Sequence, residues 1–312
     1  MRYDAIIIDS NNFAYRAFGA YRKESPSFIS KKQVFKNAVR NFIGRVEELR
    51  ETYLHSDGTI FLLFDNPTSR IDLQSSFYFA DRKQAYAKYK SDRAKEPKEF
   101  YSSLGLLKYY YSVSAGSYCT LQIPRLEADD LVEPVLRMYC TDKSALLVTT
   151  DYDWTRYVSD SVHWLPGDEP ESKKMLSERM GFEITSNNIV MLKALFGDES
   201  DNIPAVAPQA MQAGFNALCT EVSDAELLPL LACKNENIER FPVLEFVRKN
   251  ERQYRINLQL VNAIKVADNH IKAATVYGRD SAIALKAVRE ALDMTDSGKS
   301  GFVFGNIRRP RV

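Results

Sequence analysis

The 312-residue chain predicts an α/β fold with a mostly parallel central sheet flanked by helices, and three observations carry that prediction. Three short apolar runs each lead into an aspartate: Ala5–Ile8 into Asp9, Ile60–Phe64 into Asp65, and Ala145–Thr150 into Asp151. A segment of helical spacing separates the first two runs. From about Ile189 to Leu292 the pattern is mainly helical. Such short apolar and β-branched runs read as strands buried on both faces, the usual state in a parallel sheet. Ligands of open parallel sheets gather beyond the carboxyl ends of the strands. Neighbouring strands would therefore bring their terminal aspartates to one spot, where the charges repel unless protons or cations compensate.

In chain order, the first run enters Asp9, and Gln33 to about Tyr53 follows with Val34, Phe35, Ala38, Val39, Phe42, Ile43, Val46 and Leu49 on one helical face. The second run then closes a βαβ unit over residues 5–65, whose crossover should be right-handed. Residues 75–114 are rich in Tyr, Lys and Arg with weak amphipathicity, which predicts a projecting helical or partly mobile region outside the core. Cys119–Ile123 reads as a short strand. Leu126 to Asp130 opens a helix reaching about Tyr139, in which Pro134 predicts a kink or early stop. The strand ending at Asp151 leads into a polar stretch containing Trp164-Leu165-Pro166-Gly167, and the tail from Asp296 reads as a flexible basic end.

Hydrophobic residues make up 45% and charged residues 27%, the balance of an ordinary globular protein. No apolar stretch approaches the roughly 18 residues of a membrane span. The first strand begins almost at the N-terminus, so no signal peptide is expected. Cys119, Cys140, Cys219 and Cys233 form no CxxC pair and read as free thiols of a reducing cytoplasm, which disfavours zinc. The net charge of +1 hides a local excess: Arg82, Lys83, Lys88, Lys90, Arg93, Lys95 and Lys98 face only Asp81, Asp92 and Glu96, a net +4 over residues 81–98. A basic segment beside an acidic pocket suits a phosphodiester substrate.

Further acids join the strand-end aspartates. Glu127-Ala128-Asp129-Asp130 places three carboxylates in four residues, with 127 and 130 on one helical face. Alone it reads equally well as a solvated helix N-terminus. Asp151-Tyr152-Asp153-Trp154 follows a strand, and Gly197-Asp198-Glu199-Ser200-Asp201-Asn202-Ile203-Pro204 forms an acidic turn that alone would be an Asx-type cap. His55, His163 and His270 lie in none of these motifs and read as packing or surface residues.

The ordered set resembles the 5′-nuclease superfamily of flap endonucleases and 5′–3′ exonucleases, in the flavour of its phage members such as the T-even phage ribonuclease H. The matching pieces are Ile8-Asp9-Ser10-Asn11-Asn12, Leu63-Phe64-Asp65-Asn66, Tyr89-Lys90-Ser91-Asp92-Arg93, Glu127–Asp130, Thr150–Trp154 and Gly197–Pro204. The resemblance implies a PIN-like nuclease core over 1–185 with a helical arch at about 75–115. A helical duplex-binding subdomain would follow over 186–295, then a basic tail over 296–312. It implies Asp9, Asp65, Glu127 and Asp129 as ligands of one metal. Asp151, Asp153 and Asp198 would hold a second, with Asp129 near both and Asp130 and Asp201 binding through water. Two Mg²⁺ or Mn²⁺ ions about 3.5–4 Å apart would support in-line phosphodiester displacement by water. Lys90 and Arg93 would grip the scissile phosphate. Arg82, Lys83 and Lys88 would join them on nucleic acid, and Tyr15 and Arg16 would meet an unpaired terminal nucleotide.

One departure stands out: where the family has a Gly-rich hairpin followed by lysine, this chain has Ala205-Val206-Ala207-Pro208-Gln209-Ala210-Met211. Loss of the glycines and lysine predicts weaker or rearranged duplex binding and no monovalent-cation site. The implied activity is metal-dependent cleavage at 5′ ends, removing flaps or RNA primers from branched or primed duplex DNA and RNA–DNA hybrids, by a monomer in the cytoplasm. The alternative is a structure-specific branched-DNA binding protein with little nuclease activity. The tail, with Phe302-Val303-Phe304 beside Arg308, Arg309 and Arg311, offers a docking segment for a sliding clamp or single-strand-binding protein; its composition favours a free end.

Overall fold

The structure is a computed structural model that describes residues 1–24, 31–66, 90, 98–114, 116–124, 126–223, 241–263, 265–278 and 281–292. Its centre is a six-stranded sheet of order β5-β4-β1-β2-β3-β6. The strands are β1 Tyr3–Asp9, β2 Leu54–Leu63, β3 Tyr118–Leu121, β4 Ala145–Val148, β5 Val162–Leu165 and β6 Thr275–Tyr277. β1 lies parallel between β2 and β4, with Ile8 opposite both Leu62 and Val148 and Asp9 opposite Leu63. The carboxyl ends of these three strands therefore share one edge of the sheet.

Alternation along the strands builds two cores. Ile7, Phe61, Leu63, Leu121, Leu147 and Trp164 face one layer, and Ile6, Ile8, Ile60, Leu62, Leu146 and Val148 face the other. The second layer is made by α1 (Ser10–Glu24), α2 (Lys31–Tyr53) and α3 (Lys98–Val113). The first contains α4 (Asp129–Tyr139), α5 (Lys173–Met180), α6 (Ser186–Phe196), α7 (Gln212–Glu221), α8 (Pro242–Lys249) and α9 (Glu251–Val261). Burial on both faces explains why the sheet strands read as unbroken apolar runs rather than alternating ones. α10 (Asp268–Ala274) precedes β6, and α11 (Ala282–Ala291) packs on α3.

Four local features differ from the sequence expectation. The projecting segment predicted for 75–114 ends in a packed helix: α3 buries Phe100, Leu107, Tyr110 and Tyr111 against α1 and α2. Its apolar stripe is built largely of tyrosine, which an aromatic and basic composition disguises. β5 occupies part of the stretch read as polar. It is four residues long and includes His163, whose Nδ1 lies 2.7 Å from the Tyr3 hydroxyl. β6 interrupts the mainly helical C-terminal region and joins the sheet edge antiparallel to β3, with Leu121 opposite Thr275. Three residues are too few to show a period. Pro134 does not stop α4, which runs on to Tyr139. The proline removes one backbone bond, while buried Leu131, Val132 and Val135 hold the helix by packing.

Gly278 follows β6, and its N–H donates to the Tyr118 carbonyl at 2.9 Å. A Cβ there would lie 2.2 Å from the Ser114 carbonyl oxygen and 2.9 Å from that of Tyr111. Gly278→Ala is therefore expected to destabilise the chain by about 1–3 kcal/mol in urea unfolding, by overpacking, while divalent-cation binding at the opposite end of the fold is unchanged.

Candidate metal centre

The common strand edge carries the acids, and local hydrogen bonds aim each one. Asp9 closes β1; its Oδ1 accepts the Asn12 N–H at 3.0 Å, and its Oδ2 accepts the Thr149 hydroxyl at 3.1 Å. Asp65 follows β2 by two residues. Its Oδ1 accepts the Ala128 N–H at 2.7 Å, its own N–H donates to Asn11 Oδ1 at 3.2 Å, and its carbonyl accepts Gln122 Nε2 at 2.9 Å. The Asn66 N–H donates to the Leu126 carbonyl at 2.9 Å. The end of β2 is thus stitched to the turn carrying Glu127. Asp130, fully buried in the first turn of α4, accepts the Glu127 N–H at 3.1 Å.

After β4, Asp151 Oδ1 accepts the Asp153 N–H at 2.9 Å and caps the 3₁₀ turn Tyr152–Tyr157. One carboxylate oxygen from each of Asp129, Asp151 and Asp153 lies within 4.8 Å of the others. On the far side, Gly197 ends α6 at φ 75° and turns the chain into the Asp198 loop. A Cβ at Gly197 would fall 2.5 Å from the Ile203 carbonyl oxygen, so glycine permits the close approach. Asp198 then pairs with Ile203 through two backbone bonds of 2.9 Å, and its Oδ1 accepts from the Ser200 N–H and hydroxyl. A cleft of about 440 Å³ opens among Asp151, Asp153, Asp198, Asp201 and Lys193.

Among the described residues, two ammonium groups reach into these acids. Lys90 Nζ lies 2.7 Å from Glu127 Oε1 and 3.5 Å from Asp201 Oδ2, and its backbone N–H donates to the Asp201 carbonyl at 3.0 Å. Lys193, near the end of α6, bridges Asp153 and Asp198. Sequence reading missed Lys193, since a lysine in a last helical turn is already accounted for by the helix dipole. Asn12, Thr149 and Trp154 were also missed as orienting groups; their only sequence signal is adjacency to the acids.

Charge crowding shifts the carboxyls. Burial, then Asp65 and Asp129, push Asp9 well above the usual carboxylate range. Burial and the Glu127 charge raise Asp65 to about 7, against the opposing Ala128 N–H. Burial and Asp129 raise Asp151 to about 6, against Lys193 and Lys90. At Asp198 burial acts upward, but the Lys193 ammonium and the bonds from Lys193 and Ser200 outweigh it and lower the group. The side-chain atoms gathered here are hard carboxylate oxygens, a donor set that fits a hard divalent cation.

Tyr15 on α1 is exposed, with its ring edge toward Phe100 at 6.5 Å between centroids. Arg16 is half-buried, and burial with Arg45 nearby lowers its pKa. Arg82, Lys83, Lys88 and Arg93 lie outside the described residues. His55 and His270 are exposed and His163 pairs with Tyr3, none of them within the acidic cluster. At Ala205–Met211, the Val206 and Ala207 N–H groups both donate to the Leu195 carbonyl, at 2.7 and 2.9 Å. Fully buried Asn257 ties the Pro204 and Ala194 carbonyls together. Those two amides serve internal packing.

Asp65 and Asp151 hold a proton more firmly when folded than an unfolded aspartate, whose pKa is about 3.9. Their contribution to stability is full below that value. It is lost as pH rises through about 6 for Asp151 and about 7 for Asp65. In EDTA the melting temperature should fall between pH 5 and pH 8, and Asp65→Asn should flatten that slope. Added Mg²⁺ or Mn²⁺ should raise the melting temperature more at pH 8, where no proton competes for the carboxylates.

Residues 4–184 match the family model of the 5′-3′ exonuclease N-terminal, resolvase-like domain. A 5′-3′ exonuclease of Buchnera aphidicola is 27% identical over 209 residues, 64% of this chain and 61% of that protein. A 5′-3′ exonuclease of Mycoplasma pneumoniae is 25% identical over 221 residues, 69% of this chain and 71% of that protein. The thermostable DNA polymerase I of Thermus thermophilus is 26% identical over 260 residues, covering 82% of this chain but 28% of the polymerase. The chain thus spans about three-fifths of the Buchnera protein and little more than a quarter of the polymerase. Among solved structures, the bacteriophage T5 5′-exonuclease with bound zinc superposes with a TM-score of 0.60 at 19% identity, covering 93% of this chain and 98% of that one. A T5 flap endonuclease complex with DNA and metal ions gives 0.59 at 17%, covering 93% and 99%. At these identities the superpositions establish a common fold. With more than half its length matched by the family model, the chain belongs to the 5′-3′ exonuclease family.

Proposed function

We propose that this chain is a divalent-metal-dependent 5′-nuclease that hydrolyses phosphodiester bonds at 5′ ends of branched or primed duplexes. Its substrates are 5′ flaps and RNA primers on DNA, met during replication or repair. The observation that carries this reading is the convergence of Asp9, Asp65, Asp129, Asp151 and Asp153 on one strand edge, close enough to raise the pKa of Asp9, Asp65 and Asp151. Asp9, Asp65, Glu127 and Asp129 form one ligand group and Asp151, Asp153 and Asp198 another, with Asp129 near both and Asp130 and Asp201 binding through water. Two Mg²⁺ or Mn²⁺ ions held there would activate water and offset charge on the transferred phosphate.

The chain's own residues do the rest. Asn12, Thr149, Ala128 and Ser200 hold carboxylate oxygens in fixed directions through the hydrogen bonds described above. Among the described residues Lys193 lines the cleft and Lys90 pairs with Glu127 and Asp201 beside it, both suited to a phosphodiester once the acids are engaged elsewhere. Arg93, Arg82, Lys83 and Lys88 extend that grip, Tyr15 stacks on an unpaired base and Arg16 lies beside it. The internal use of the Val206 and Ala207 amides favours a duplex contact weaker than a free Gly-rich hairpin would make. It also supports the alternative of a branched-DNA binding protein with little nuclease activity, although the acids at every ligand position weigh against it. The buried thiols Cys119, Cys140 and Cys219 suit a cytoplasmic enzyme, and we take it to act as a monomer.

Purified chain with Mg²⁺ is expected to cut a labelled 5′-flap duplex and a nicked RNA–DNA duplex, and EDTA should abolish both reactions. Asp151→Asn and Asp153→Asn should retain the fold and DNA binding while losing about 100-fold or more in cleavage rate, a loss comparable to removing a central electrostatic group. Absence of cleavage by the unaltered chain, with binding retained, would select the binding-protein alternative. Residues 298–312, outside the described residues, are the candidate docking segment for a clamp or single-strand-binding protein; their deletion should abolish pull-down of such a partner, and unchanged capture would remove that role.

A further inference from the structure

The 3₁₀ turn Tyr152–Tyr157 joins the two ligand groups through one side chain. Trp154 is fully buried and directly follows Asp153, yet its indole N–H donates across the cluster to Asp129 Oδ1 at 2.6 Å. The Tyr157 hydroxyl, from the same turn, donates to the Asp129 backbone carbonyl at 3.1 Å. One turn therefore holds Asp129 at its carboxylate and at its main chain, and the same turn carries Asp153.

The chemistry of this bond differs from that of the lysine contacts. Lys90 and Lys193 relieve the acids as cations, so their charge opposes a divalent ion on the same carboxylates. An indole N–H is neutral. It stabilises the ionised carboxylate by a charge-assisted bond and adds no positive charge to compete. Oδ1 carries this bond, which sets the carboxylate rotation, and one carboxylate oxygen of Asp129 lies within 4.8 Å of one from Asp151 and one from Asp153. Ligand orientation by an outer hydrogen bond is worth about 10–100-fold in metal affinity at other sites.

We propose that Trp154 is a positioning residue of the metal centre, its indole N–H pinning one oxygen of Asp129 so that the other faces the cation shared with Asp151 and Asp153. This rests on the reading of the cluster as a divalent-cation site.

Mn²⁺ titration by calorimetry on the full chain tests it. Trp154→Phe should weaken Mn²⁺ binding by about tenfold or more. Trp164→Phe removes the same ring atoms from the same core, where Trp164 Nε1 has no hydrogen-bond partner among the described residues; it should bind Mn²⁺ as the unaltered chain does. In an Asp129→Asn background, Trp154→Phe should cause no further loss, because its effect passes through Asp129. Melting in EDTA reports the packing cost of both tryptophan changes separately from affinity. The chain has two tryptophans, so in Trp164→Phe the emission comes from Trp154 alone and should shift on Mg²⁺ titration. Unchanged Mn²⁺ affinity in Trp154→Phe, equal weakening in both tryptophan variants, or emission unmoved by saturating Mg²⁺ would each overturn the proposal. Failure of the unaltered chain to bind Mn²⁺ at all would instead overturn the metal-site reading, and this one with it.

Discussion

Like charges gathered at the carboxyl edge of a parallel sheet are the constraint on which the rest of this structure depends. β1, β2 and β4 run in register, so the acids that follow them must meet. Burial removes the water that would separate them, and each raises the proton affinity of the next. The fold tolerates this because each carboxylate has a specific partner: Asn12 and Thr149 for Asp9, Ala128 for Asp65, Trp154 for Asp129, Ser200 for Asp198. These donors are neutral, so they fix the direction of each carboxylate without cancelling its charge.

The two lysines act on the same problem by a different route. Lys90 spans Glu127 and Asp201, and Lys193 spans Asp153 and Asp198, so each ammonium sits between acids from separate parts of the chain. They tie separate acidic segments to one another and so hold the shape of the cleft.

The C-terminal region is tied to this centre more closely than its helical pattern implies. β6 extends the sheet beside β3, and Asn257 of α9 fastens the loop after Asp198 to α6. The segment Ala205–Met211 consequently serves packing first, with the Val206 and Ala207 amides directed at Leu195. Asp198 and Asp201 owe their location to that packing, so the altered hairpin is compatible with an intact acidic centre.

Much of this was legible in the chain itself. Short apolar runs ending in Asp9, Asp65 and Asp151 carry the parallel sheet and its acidic edge, because strands buried on both faces must be apolar throughout and must turn polar where they leave the core. The order of the acids carries the family. What tertiary structure alone decided is of a different kind. β5 and β6 are too short to show periodicity and exist as strands through pairing with β4 and β3. The tyrosine-rich α3 became core because α1 and α2 lie beside it. Lys193 and Trp154 entered the site through contacts across 5 and 25 residues of chain, and neither residue type announces such a contact. A sequence records which groups cannot face water; which of them meet is set by how the layers pack.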